Sequence, residues 1–125
     1  MSERSRQALA RWFVFLGGGI AWLLHLLAVY AVGEFGCVAG WGDFLGLSLV
    51  VWLILGLTIP LLAIAIAALV VGYRYEKRFA THEIRGLEAQ DPGVALVRYG
   101  VVANGLFILT ILGETVPVFF FLGGC

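Results

Sequence analysis

Polar residues fall in blocks along this chain instead of recurring at every turn. Between the blocks lie three uninterrupted apolar stretches, Trp12–Val32, Phe44–Tyr73 and Tyr99–Leu122. Each reaches the roughly 20 residues that a membrane-spanning helix requires. An amphipathic helix on a soluble core would carry polar residues on one face throughout, and these stretches do not. The pattern predicts an all-α integral membrane protein, a single membrane domain with three transmembrane helices. Their expected spans are about residues 7–33, 43–75 and 92–122. A helical cytoplasmic segment is expected to extend the second helix to about residue 90, where Asp91 and Pro92 have the chemistry of an N-cap and first helical position.

The second stretch is the longest, ~45 Å at 1.5 Å per residue, against about 30 Å of hydrocarbon. Pro60 near its middle and Pro117 in the third stretch each remove a backbone donor, so a kink is expected at both. The segment Gly33–Asp43 is rich in glycine and reads as a tight loop, with Asp43 placed to N-cap the second helix.

Small and polar residues repeat at helical spacing within each stretch. On the first they are Gly18, Ala21, His25, Ala28 and Val32. On the second they are Ser48, Trp52, Gly56, Pro60, Ala63 and Ala67, and on the third Gly100, Ala103, Asn104, Phe107, Thr110 and Glu114. Helices in lipid associate through small residues and polar contacts, so these stripes are expected to face one another or a partner subunit.

Composition agrees with the pattern. The chain is 62% apolar and 13% charged, where soluble domains run near 45–50% and about 25%. Its formal net charge is zero, but the eight bases (Arg4, Arg6, Arg11, Arg74, Lys77, Arg78, Arg85, Arg98) all lie before the first stretch or between the second and third. By the positive-inside rule the N-terminus is cytoplasmic and the C-terminus outside. Five acids share the basic side, which leaves a modest positive excess. That excess suits anionic lipid headgroups and is a poor nucleic-acid footprint. A cleaved signal peptide is the rival reading of the N-terminus, but the first apolar run exceeds the usual 7–15 residues.

An ionisable residue inside a span is a functional-site hypothesis with a partner to be named. His25 and Glu114 each lie about eight residues from the outer ends of their spans, roughly 12 Å deep, and form the candidate intramembrane pair. Asn104 and Thr110 are supporting polar residues. A haem-ligand role for His25 needs a second chain, because His82 lies in the cytoplasmic segment and Met1 is the only methionine. Structural hydrogen bonding and a proton or substrate path are the other readings of both residues.

Cys37 and Cys125 fall together on the outer side. They can form a disulfide, bind a metal or act as thiols; two thiols alone make a poor metal site, since soft copper(I) recruits further Cys, Met or His. Gly17-Gly18-Gly19 lacks the Lys and Ser/Thr of a phosphate loop and reads as a place of close helix approach. No catalytic triad, metal-protease motif or carboxylate pair occurs, so no enzyme activity, catalytic residue, metal or cofactor is expected.

The string Gly19-Ile20-Ala21-Trp22-Leu23-Leu24-His25, followed by Tyr30, Glu34 and Cys37, resembles the first span of small, uncharacterised bacterial three-helix membrane proteins associated with haem-copper cytochrome oxidases and their assembly factors. Asn104-Gly105-Leu106-Phe107, Glu114, Pro117 and a terminal Cys125 are similar in style to the end of such chains. The likeness covers the first and third helices. Gly123-Gly124 stand where a proline would be expected before the last cysteine. The resemblance implies a setting: a multi-pass protein of the bacterial inner membrane, with other membrane subunits of a respiratory complex as partners. The expected function is an accessory subunit or assembly factor acting through helix packing. The alternative is a small homo-oligomeric transporter or channel with His25 and Glu114 in a polar path.

Overall fold

The structure is a computed structural model and describes residues 2–83 and 92–121. Those residues form α1 (Glu3–Val38), a short hairpin of β1 (Asp43–Phe44) and β2 (Leu47–Ser48), α2 (Leu49–Glu83) and α3 (Pro92–Phe121). Each of the three helices is long and apolar enough to cross a membrane. α2 runs antiparallel to α1 and α3, and every helix packs on the other two. The expected helical segment past Glu83, the Asp91 cap and Cys125 lie outside the described residues.

α1 is longer than the expected 7–33 at both ends. Ser2 caps its start, its hydroxyl accepting from the Ser5 amide at 3.3 Å, which satisfies one of the orphan first-turn donors. The far end closes beyond Gly33 in a Schellman motif. There Gly40 takes φ +63°, its amide donates to Cys37 O, and the Trp41 amide donates to Gly36 O at 3.1 Å. The glycines read as a loop are therefore partly helical. Gly36 is glycine because α2 passes close by: a Cβ there would strike Val50.

Asp43 does not cap α2. It pairs with Ser48 across the hairpin, and α2 starts later than expected, at Leu49, whose amide donates to Gly42 O at 3.0 Å. Leu45 and Gly46 both have positive φ, 53° and 80°, the signature of a two-residue type I′ turn. Trp52 pins the hairpin to the helix through its indole N–H, which donates to Phe44 O at 2.9 Å. α2 and α3 remain helical through Pro60 and Pro117.

The inward faces match the expected stripes on α1 and α3 more closely than on α2. Gly18, Ala21 and His25 are buried on α1, and Gly100 and Asn104 on α3. Of the expected second stripe only Ser48, in β2, is buried, and Trp52, Gly56, Pro60, Ala63 and Ala67 on α2 are exposed. The buried face is instead Val50, Val51, Ile54, Thr58, Ala65, Ala68 and Gly72. α2 carries small residues on two opposite faces, and the one bearing a polar residue that α1 can use, Thr58, turns inward. Two apolar layers result. Val50, Val51, Ile54 and Val118 pack at one end, and Ala21, Ala65 and Ile111 near the middle.

Gly100 shows how tightly the helices meet. A Cβ there would lie 2.9 Å from the Val14 carbonyl oxygen and 3.2 Å from its carbon. Backbone cannot give way as a side chain can, so Gly100→Ala is expected to destabilise the bundle by about 1–3 kcal/mol, the range of overpacked cores. Gly105 faces open space, and Gly105→Ala is expected to be neutral or slightly stabilising. Thermal unfolding of both variants in detergent checks the contrast.

Candidate functional site

Two polar layers cross the bundle, one on each side of the Ala21–Ala65–Ile111 layer. The first is built on Asn104. Its Oδ1 accepts from the Gly18 amide at 2.9 Å, and its Nδ2 donates to Val14 O at 2.7 Å. Those two backbone groups are the ends of one i→i−4 pair of α1, so a single amide side chain clamps α3 to the backbone of α1. The amide orientation is fixed by its partners, since an N–H only donates and a carbonyl only accepts. Gly18 makes room: a Cβ there would collide with Oδ1 and lie 3.2 Å from Asn104 Cα.

The second layer is built on His25, which is fully buried. Its Nδ1 lies 3.4 Å from Glu114 Oε2, and its Nε2 lies 3.0 Å from Thr58 Oγ1 and 3.5 Å from Thr115 Oγ1. One imidazole on α1 thus meets α2 and α3 together. Glu114 Oε1 accepts from the Trp22 indole N–H at 3.0 Å. The Trp22 ring stacks on Phe107, centroids 5.6 Å apart, which fixes the direction of that N–H.

Hydrogen counting sets the protonation pattern of this layer. Thr58 and Thr115 each donate to the carbonyl four residues back, Ile54 O and Ile111 O, both at 2.7 Å. Their hydroxyl hydrogens are therefore committed, and toward His25 they can only accept. Nε2 must carry a hydrogen. The Nδ1–Oε2 contact then needs one more, held by either atom. Imidazolium with carboxylate and neutral imidazole with carboxylic acid both satisfy it, and both are net neutral. A net-neutral unit is what an apolar interior tolerates at least cost.

Among the described residues no buried side-chain nitrogen or oxygen lacks a hydrogen-bond partner. Among the same described residues, no group of three or more His, Cys, Asp or Glu stands where it could hold a metal. Glu114 is the one member of the His25–Glu114 pair that reaches the bundle surface, its side chain 27% exposed.

The structure brings His25 and Glu114 together and gives Asn104 a layer of its own. Thr110 does not support the site. It is exposed and donates to Leu106 O within its own helix; six residues from Asn104, it sits about 240° round the helix. Thr58, Thr115 and Trp22 are site residues that the stripe reading passed over. Cys37 sits half-buried in the last turn of α1 and is not free, while its expected partner Cys125 lies outside the described residues. No known protein family, curated protein or solved structure matches the chain.

Thr58→Val is expected to cost about 1–2 kcal/mol, since it removes the nearer acceptor of a buried N–H. Thr110→Val is expected to stay within about 0.5 kcal/mol. Unfolding free energies in mixed micelles read both.

Proposed function

We propose that this chain is a small multi-pass subunit or assembly factor of a respiratory complex of the cytochrome-oxidase type in the bacterial inner membrane. Its work is helix packing. In this reading the basic end of the bundle, where Arg11 bonds Tyr75 and Arg98 bonds Glu76, is cytoplasmic. The end carrying Glu34, Cys37 and Asp43 is outside, and a bridge between Cys37 and Cys125 belongs to the same proposal. Free, alkylatable thiols at both positions in the isolated protein would remove the bridge.

The observation that carries the reading is the closed polar layer at His25. Its hydrogen-bond donors are taken up by α1, α2 and α3 themselves, and it lies between two apolar layers. Such a layer specifies how the helices pack. The outside of the bundle is dressed with large apolar side chains on all three helices, as contact with lipid or neighbouring subunits requires. The setting in a respiratory complex comes from the likeness of the first and third helices to the small three-helix proteins described above.

Purification in mild detergent with mass spectrometry of partners tests the proposal. Large haem-containing subunits, seen in a visible spectrum of the same sample, are the expected companions; a lone homo-oligomer would count against it. Glu114→Gln separates packing from transport. The Gln amide can donate to Nδ1 while its oxygen still accepts from Trp22, so the fold and the partner set are expected to survive. Glu114→Leu breaks both contacts and is expected to weaken the bundle. Flux through reconstituted protein that Glu114→Gln abolishes would favour the transporter reading instead.

A further inference from the structure

At the basic end, α1 and α2 part to leave two grooves that share walls. The polar groove, about 410 Å³, is lined by Arg6 on α1 and by Arg74 and Arg78 on α2, with Glu3 as its one carboxylate. Arg6, Ala10 and Val71 also line the second groove, of about 620 Å³. The rest of that wall is apolar, with Leu9, Trp12, Phe13, Leu16 and Ile20 running along α1. Arg6 to Ile20 covers about 21 Å at helical rise. That is about one leaflet of hydrocarbon, half of ~30 Å, plus part of the headgroup layer.

From this we infer a binding site for one anionic phospholipid, its phosphate held by Arg6 and Arg74 with Arg78 beside them, and one acyl chain laid along Leu9–Ile20. The inference rests on the membrane reading above. The chemistry is complementary at both ends. Guanidinium groups meet phosphate oxygens in forked, charge-assisted pairs, and they converge from two helices where a headgroup would sit. Among the described residues the Arg6 guanidinium is engaged only by exposed Glu3 at 3.7 Å, a surface contact of little strength that a phosphate can displace. Arg74 has no ion-pair partner among the described residues. The apolar groove starts at Arg6 and leads away from the charges toward the middle of α1. A free phosphate ion would leave that groove unused, and a zwitterionic lipid would present a cation to Arg6 and Arg74.

The full chain, reconstituted in nanodiscs with phosphatidylglycerol and phosphatidylcholine of identical acyl chains, provides the test. Native mass spectrometry after release is expected to show one retained phosphatidylglycerol. Arg6→Gln and Arg74→Gln should each lower its retention about fivefold, the effect of one surface base on an anionic lipid. Arg98→Gln, the same charge change at a residue paired with Glu76 outside the groove, should leave retention unchanged. Ala10→Trp fills the shared wall without altering charge, and should also release the lipid. Equal retention of both lipids, or equal loss in the Arg98→Gln control, overturns the site while leaving the membrane reading standing. Release of the wild-type chain from membranes by alkaline carbonate overturns both.

Discussion

A buried imidazole or amide side chain on an apolar helix has to find its hydrogen bonds on another helix, and that requirement organises this bundle. Water does not compete in such an interior, and apolar surface alone says little about which faces should meet. His25 supplies the direction. Its ring has two nitrogens pointing opposite ways, so it can engage α2 through Thr58 and α3 through Glu114 at once. Any rotation of one helix by a few tens of degrees leaves at least one of these groups buried and unpaired, at a cost of about 1–3 kcal/mol. Asn104 does the same work one layer away, acting on backbone where His25 acts on side chains.

The glycines follow from those two layers. Asn104 can reach the Val14–Gly18 pair only if α1 and α3 come close, and Gly18 and Gly100 are the positions where a Cβ would stop them. Ala21, Ala65 and Ala68 are fully buried between these positions, and Val14, Ile54, Val97 and Ile111 fill the rest of the interior. Large apolar side chains also cover the outside, where Leu, Ile, Val and Phe are exposed on all three helices. The close approach of α1 and α3 is thus a consequence of the polar contacts as much as a cause of helix association.

Much of this is legible in the sequence, and the gaps have physical reasons. Three apolar stretches announce the helices and their order. Equal depth points His25 toward Glu114. The inward face of α2 is not legible from small residues, because Gly56, Ala63 and Ala67 offer one small face and Ala65, Ala68 and Gly72 another; only the position of Thr58 separates them. Threonine is common enough in apolar helices, bonded to its own carbonyl as Thr110 is, that it carries little signal alone. Thr58 stands out once His25 is taken as needing a second partner. The hairpin at Asp43–Ser48 is hidden because its turn uses Leu45, a residue seldom found at positive φ, in place of Asn or Asp. The far end of α1 is hidden because Gly33 and Gly36 look like loop residues, whereas both are helical and Gly36 lets α2 approach.

The central claim is that one neutral imidazole–carboxyl unit joins all three helices. Solid-state NMR of the full chain in lipid, with nitrogen-15 in the His25 ring and carbon-13 in Glu114 and Thr58, measures it most directly. The account predicts through-space contacts from the ring to both the Glu114 carboxyl and Thr58, matching separations of 3.4 Å and 3.0 Å, with Nε2 protonated. A ring that contacts neither residue, or an Nε2 without a proton, would contradict it.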